Sequence, residues 1–267
     1  MPRGAKAPLY QLLDEVCRKI DALDLKRDAP AMLQEIRRAR PDLTAKIDEV
    51  IAKGSAKEKT TAQVVAQTMA SYVIKLIKDI PEMVRTMVAA ANSPSTDPSI
   101  RCAVLGALAY VVQPRDLIPD DAPGGYGFVD DAALLRTGLI EYLDVLPPNP
   151  TQADLDRNVL QSFASLVPTS VLPALQQAVQ GMAMAFQLLR MLPQELIEFT
   201  TQQILMYPLQ MSAPQAPPGF SAPSFPNLGG GGMGDRGHWS GGAYFEGNSV
   251  IMPGGPSLID GQLFIPS

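Results

Sequence analysis

The chain has 267 residues, of which 46% are hydrophobic and 6% aromatic, enough for one large domain or two small ones. A core of aliphatic residues and twelve methionines favours helices over sheets. The formal charge of −5 argues against nucleic acid as an obligate partner, because phosphate binding needs a concentrated basic surface.

The charge distribution and the number of cysteines limit which partners and which cellular compartment the sequence favours. Residues 1–100 carry 16 Lys and Arg against 13 Asp and Glu, whereas the remainder carries 6 against 14. This asymmetry is typical of two differently solvated surfaces, with steering of a partner as the alternative. Cys17 and Cys102 are the only cysteines, and both fall in apolar helical patterns. Their number excludes a disulfide scaffold and indicates a reducing compartment.

Targeting and membrane-spanning signals are weak. Residues 1–6 lead into an amphipathic helix rather than the apolar core of a signal peptide. The longest apolar run, 102–112, is about half of the roughly 20 residues that a membrane span needs. We therefore expect a soluble, cytoplasmic protein.

Residues 1–55 are predicted to form an N-terminal group of three helices. The first shows helical spacing of apolar residues from Leu9 to Leu23, and the next two begin near Pro30 and Pro41. Gly54 stands where the third helix would end. The Arg cluster at 37–40 is interpreted as complementing a helix dipole, with a basic contact patch as the alternative.

Residues 56–207 are predicted to form a helical domain. Its first helix runs from about Ala56 to Asp79, with an apolar stripe that includes Val64, and Pro81 starts the next. Asp97 followed by Pro98 is a specific helix-start signal. Further helices are predicted at the following places: 132–146, from Thr151, about 169–191 and 193–207. Their methionines, among them Met182, Met184 and Met191, are interpreted as core filler, with an adaptable binding groove as the alternative.

The composition changes at Pro208. The last 60 residues contain 9 Pro and 13 Gly, so residues 208–267 are predicted to be a Gly/Pro-rich tail. Two β-hairpins are predicted near its end, around Glu246-Gly247-Asn248 and around Asp260-Gly261. Isolated hairpins are marginal in water, so this end is expected to bind a surface. The apolar residues proposed for that contact are Tyr244, Phe245, Ile251, Ile259, Leu263, Phe264 and Ile265.

A turn rich in Asp, Pro and Gly separates two apolar helices at the centre of the chain. Pro114 cannot continue the helix before it, and Asp116 is expected to cap the turn at Leu117 and Ile118. Glycines, including Gly127, permit a tight reversal, and Asp130 is expected to cap the second helix, with Asp131 near its positive end. The residues that build this motif are Tyr110, Pro114, Asp116, Leu117, Ile118, Pro119, Asp120, Pro123, Gly127, Asp130 and Asp131.

The motif from Tyr110 to Asp131 resembles the signature of the YkvA-like family, a domain of unknown function (number 1232). A weaker resemblance extends over about 72–146, and the rest of the chain lies outside it. The resemblance implies a helical hairpin domain, often in membrane-associated proteins, without established catalytic activity. Arg115 and Asp121-Ala122 depart from the pattern towards greater polarity, which argues against membrane insertion.

The sequence favours a non-enzymatic interaction or assembly protein, with a helical body and a tail that recruits a protein partner or a second copy. No nucleophile–base pair stands out, since His238 is the only histidine and lies in the tail. One alternative is a Mg²⁺ or Ca²⁺ site on Asp120, Asp130 and Asp131 that supports hydrolysis, with capping and turn formation as the simpler reading. The other is peripheral membrane attachment, which the mixed charge of the first helix does not favour.

Overall fold

A computed structural model describes residues 7–113, 117–145 and 166–210, together with four short strands between residues 244 and 264. The body is helical, which confirms the all-α class. In the part described, the α-helices are α1 (Pro8–Asp21), α2 (Ala29–Ala39), α3 (Pro41–Lys53), α4 (Ala56–Ile77), α5 (Ile80–Asn92), α6 (Pro98–Val111), α7 (Val129–Val145), α8 (Leu172–Leu189) and α9 (Gln194–Met206). Short 3-10 turns at Pro123–Phe128 and Pro208–Gln210 precede α7 and follow α9.

Proline and short polar side chains set the helix starts as the sequence predicted. The Asp97 carboxylate accepts a hydrogen bond from the backbone N–H of Ser99, which satisfies a donor that α6 itself leaves unpaired. Pro98 occupies the first turn, where its missing N–H has no cost. Ser55 and Glu58 form a reciprocal capping box at the start of α4, a signal readable in the sequence but not used above.

Periodicity was less reliable for the buried face of α4. Met69, Val73 and Ile77 are buried as predicted, but Val64 is 45% exposed. The stripe prediction is therefore wrong at Val64. Val65, which belongs to the same predicted stripe, is buried, and α4 packs against α2, α3, α7 and the 3-10 turn before α7.

One continuous hydrophobic core runs through the helical body. α6 lies at its centre and contacts α5, α7, α8 and α9, and α1 packs against α5, α6 and α9. α2 packs against α4 and against the 3-10 turn before α7. The core therefore contains residues from both ends of the body, from Leu9 to Ile204, and the N-terminal helices support the central turn directly.

Four three-residue strands lie in the tail: β1 (Tyr244–Glu246), β2 (Ser249–Ile251), β3 (Ser257–Ile259) and β4 (Gln262–Phe264). They pair antiparallel in the order β1-β2-β3-β4. The helix predicted from Thr151, the Gly-rich stretch before residue 243 and the two turn sequences Gly247-Asn248 and Asp260-Gly261 lie outside the described residues.

Candidate functional site

The central turn is held by close backbone packing. Gly124 and Gly125 have φ values of 68° and 82°, a left-handed conformation that other residues adopt only with strain. A Cβ on Gly124 would lie 2.9 Å from the Asp28 carbonyl oxygen at the start of α2. A Cβ on Gly127 would lie 2.7 Å from Asp120 Cα, so the two sides of the turn touch through their backbones. These contacts leave no room for a side chain at Gly124 or Gly127.

Asp130 connects the two sides of the turn. Its side chain is fully buried, and Oδ2 accepts hydrogen bonds from the backbone N–H groups of Leu117 (3.1 Å) and Ile118 (3.3 Å). Because α7 begins at Val129, Asp130 lies inside the helix rather than at its N-cap. It therefore performs for the Leu117–Ile118 turn the capping that we predicted for Asp116, which lies outside the described residues.

The electrostatics at Asp130 are unusual for a carboxylate. Its pKa is raised to about 7: burial is the largest cause, backbone N–H donors partly offset it, and the nearby Asp120 adds a smaller rise. Asp130 Oδ1 and Asp120 Oδ1 are both buried without a hydrogen-bond partner. Asp120 also lies 3.9 Å from Lys19 Nζ, an exposed and weak ion pair. Asp130 can therefore hold a proton near neutral pH.

The other predicted motif residues range from buried to exposed. Tyr110, Ile118, Gly127 and Asp131 are buried, Leu117 and Asp120 are half-buried, and Pro119 and Pro123 are exposed; Pro114, like Asp116, lies outside the described residues. The Tyr126 hydroxyl, which the sequence did not single out, donates a hydrogen bond to the Leu166 carbonyl (2.6 Å), and burial raises its pKa. This bond links the turn to the segment before α8.

The second hairpin helix also contains a buried cation. Arg136 is buried, and its Nη2 donates a hydrogen bond to Asp79 Oδ2 at 3.2 Å, between α4 and α5. Burial raises the pKa of Tyr72, whose environment includes both charges. These polar contacts join α7 to the preceding helices.

The described residues offer little machinery for a reaction. Within them, no three His, Cys, Asp or Glu side chains are grouped to hold a metal ion. His238, the only histidine, lies outside them. Asp120, Asp130 and Asp131 lie at or near the turn, but Asp130 binds backbone amides through Oδ2. Burial also raises the pKa values of the Cys17 and Cys102 thiols, which disfavours thiolate nucleophiles.

A different part of the body has an exposed apolar surface. We call it the elbow, because it lies where α8 gives way to α9, and define it as Leu188, Met191, Leu192, Leu196 and Phe199. All five side chains are exposed, Met191 at 75% and Phe199 at 61%. Five large apolar side chains are exposed within twelve residues, whereas exposed apolar positions are normally scattered singly over a protein surface.

The sequence interpretation missed the elbow. We treated the methionines of this region as core filler, and Met182 is indeed buried, but Met191 is among the most exposed apolar residues. The available signal was the run from Leu188 to Leu192, which is apolar on more than one side of the helix. The tail residues proposed for contacts lie in the strands, apart from Ile265, which lies outside the described residues.

Comparisons with known proteins concern only the central part of the chain. None of the helices in the described ranges is long and apolar enough to cross a membrane. No curated protein and no solved structure matches the chain. Residues 100–135, from α6 through the central turn into α7, match a family model described as a protein of unknown function (DUF1232), and the rest of the chain is unmatched. The resemblance read from the motif is thus confirmed over residues 100–135.

Proposed function

We propose that this protein is a non-enzymatic assembly protein whose helical body associates through the elbow and whose tail contributes to that association. The observation that carries the proposal is the exposure of Leu188, Met191, Leu192, Leu196 and Phe199, from the last turn of α8 through the connection into α9. Transfer of apolar surface out of water is the main favourable term in protein association. Glu195 and Glu198 are neighbours of these residues in the sequence, and protein interfaces combine apolar residues with polar ones at their rim.

The tail supports the same proposal. It follows α9, the helix that carries Leu196 and Phe199 of the elbow, and its predicted hairpins need a surface to become stable. The proposed partner is a protein, either a second copy or a different chain, rather than nucleic acid. The proposed location is the cytoplasm, where Cys17 and Cys102 would remain as the free thiols they are here.

The direct test is the molar mass of the full chain measured by light scattering over a range of concentrations. We expect the mass to rise above that of one chain with concentration, and the double variant Met191→Lys/Phe199→Lys to remain monomeric. Val64→Lys is the matched control, because Val64 is an isolated exposed apolar residue on α4. A double variant that associates like the wild type contradicts the proposal, and a full chain that stays monomeric throughout removes self-association and leaves only a different chain as the partner.

A metal-dependent role for the acidic turn is the second candidate. Its support is the pair of buried oxygens without hydrogen-bond partners, Asp120 Oδ1 and Asp130 Oδ1, since hard divalent cations bind carboxylate oxygens. Isothermal titration calorimetry with Mg²⁺, Ca²⁺ and Mn²⁺ tests it. A heat of metal binding that the wild type gives and Asp130→Asn does not give supports this role. If the wild type gives no heat of binding at millimolar metal, the role is excluded. Peripheral membrane attachment, which the family resemblance suggests, is tested by liposome flotation.

A further inference from the structure

We propose that the arm of the central turn, residues 117–120, opens from the body when the Asp130 side chain loses its proton, so that the turn responds to pH. The arm consists of Leu117, Ile118, Pro119 and Asp120 and precedes the 3-10 turn that leads into α7. This inference goes beyond the proposed assembly function and does not depend on the elbow.

The arm is held to the body by hydrogen bonds and by packing. The backbone N–H groups of Leu117 and Ile118 donate to Asp130 Oδ2 at 3.1 and 3.3 Å. Ile118 is buried in the core, and a Cβ on Gly127 would lie 2.7 Å from Asp120 Cα, so the arm backbone lies directly against the 3-10 turn. The arm is thus attached to α7 through the Asp130 carboxyl group.

The two oxygens of that carboxyl group have different surroundings. Oδ2 accepts two hydrogen bonds, whereas Oδ1 is buried without a hydrogen-bond partner. A proton on Oδ1 keeps the group neutral and leaves Oδ2 free to accept both bonds. Without the proton, a charged oxygen is buried with no donor, which is costly. The closed arm therefore favours the protonated group.

The charge that faces Asp130 from the arm has the same sign. Asp120 Oδ1 is also buried without a hydrogen-bond partner, and the Asp120 charge adds to the rise in the pKa of Asp130. Lys19 Nζ on α1 lies 3.9 Å from Asp120 Oδ2, but the lysine side chain is 61% exposed and is a weak counter-charge. Ionisation of Asp130 thus sets two carboxylates against one exposed lysine.

Titratable groups on the other elements around α7 have interactions of their own, and α8 has no ionisable residue. These groups are Asp131 on α7, Tyr126 in the 3-10 turn, Tyr72 on α4, Asp79, Glu82 and Arg85 at α5, Arg101, Cys102 and Tyr110 on α6, and Glu35 and Arg40 near Tyr126. Asp120 is the neighbouring charge that acts on Asp130.

Opening the arm relieves both costs, because it hydrates the Asp130 carboxylate and moves Asp120 away from it. Of the four arm residues only Ile118 is buried, so opening needs less free energy than unfolding the body. The pKa of Asp130 is about 7 with the arm closed and near its ordinary 3.8 when the group is hydrated. The preference for the closed arm is therefore complete below about pH 4, falls as the pH rises, and levels off above about pH 7.

Amide hydrogen exchange of the full wild-type chain, with a chelator of divalent cations present, tests the inference. After correction for the intrinsic rate of each amide, we expect the protection of the Leu117 and Ile118 amides to fall by about 10- to 100-fold from about pH 5 to pH 8. These amides should be less protected than those of Leu105 and Leu108 in α6, and low urea should accelerate exchange only in α6. If arm and α6 amides have equal protection and equal urea dependence, or if arm protection does not change with pH, the inference is wrong.

Variants assign the effect to one carboxyl group. Asp130→Asn is expected to make the protection of the arm amides independent of pH. Asp121→Asn is the matched control, because Asp121 is an exposed aspartate in the same turn, and it should keep the wild-type dependence. Asp120→Asn, which leaves Asp130 in place, should keep the dependence but move its levelling-off to lower pH.

The variant outcomes are decisive in both directions. A pH dependence that persists in Asp130→Asn, or that disappears in Asp121→Asn, overturns the inference. If Asp130→Asn does not fold, the comparison of Asp120→Asn with the wild type decides, and an unshifted profile contradicts the assignment to Asp130.

Discussion

The central turn and the elbow both connect two helices, but they treat polar and apolar groups in opposite ways. At the turn, the Asp130 carboxylate is buried and binds two backbone amides, while Gly124 and Gly127 allow close backbone contact. At the elbow, apolar side chains such as Met191 and Phe199 are exposed to solvent. The charged segment with the family motif thus has the features of a structural turn, whereas the segment without a motif has those of a contact surface.

The largest effect is expected from Gly127→Ala. The added Cβ would lie 2.7 Å from Asp120 Cα and meet the backbone on the other side of the turn. Backbone cannot move aside as a flexible side chain can, so we expect a loss on the order of 3 kcal/mol or more in the free energy of unfolding. Urea denaturation followed by circular dichroism measures it.

Gly106→Ala is the matched control for that substitution. Gly106 lies in α6, and a Cβ there would meet nothing within 4 Å. Because Ala has a higher helix propensity than Gly, we expect stabilisation of up to about 1 kcal/mol. Equal effects of the two substitutions would show that the turn is not tightly packed and would remove the contrast with the elbow.

The next effect concerns the pH dependence of stability. Burial raises the pKa of Asp130 from 3.8 to about 7, so the folded state holds this proton more tightly than the unfolded state. The contribution of Asp130 to stability is therefore fully present below about pH 4 and is lost as the pH rises through 7. Between about pH 5 and pH 8, wild-type stability should fall relative to that of Asp130→Asn by an amount on the order of a few kcal/mol.

The comparison with Asp130→Asn isolates this group. Asp28, Asp42 and Asp97 have pKa values lowered by hydrogen bonds to arginine or serine side chains and have the opposite pH dependence, but they are present in both proteins. Their contributions cancel in the difference. Parallel stability curves for the two proteins would mean that Asp130 is ionised in the folded state at pH 5.

A smaller loss is expected from Tyr126→Phe. The substitution removes the hydroxyl that donates to the Leu166 carbonyl and leaves that buried oxygen without this donor. We expect a loss of about 1–2 kcal/mol in the free energy of unfolding, by thermal and urea denaturation. An unchanged stability would show that the turn does not depend on its link to the segment before α8.

The sequence was informative where one residue determines one local feature. Asp97 and Pro98 start α6 as predicted, and Pro30 and Pro41 mark the starts of α2 and α3. The family motif located the central hairpin, but not that Asp130 Oδ2 bonds to amides twelve and thirteen residues earlier. That contact depends on how the chain folds back, which spacing along the sequence does not encode.

The elbow could not be recognised from periodicity for a related reason. α8 has apolar residues on more than one side, so its sequence predicts that the helix is buried but not which side faces the core. Met182 is buried in the core, whereas Met191, two residues after the end of α8, is exposed. Whether a methionine side chain is exposed depends on which helices pack against it and not on the residue type.

The smallest effect on stability is expected at the elbow. Met191→Lys/Phe199→Lys changes exposed side chains, so the free energy of unfolding of the monomer should change by no more than about 0.5 kcal/mol for each substitution. Chemical denaturation at low protein concentration measures this. A loss comparable with that of Gly127→Ala would mean that the elbow belongs to the core.

Hydrogen–deuterium exchange of the full chain at low and high protein concentration tests the central claim most directly. We predict that exchange in residues 186–200 slows as concentration rises, because the elbow becomes covered, while exchange in residues 117–128 is the same at both concentrations. Slowed exchange in the turn, with the elbow unchanged, would assign the contact surface to the motif and contradict the account.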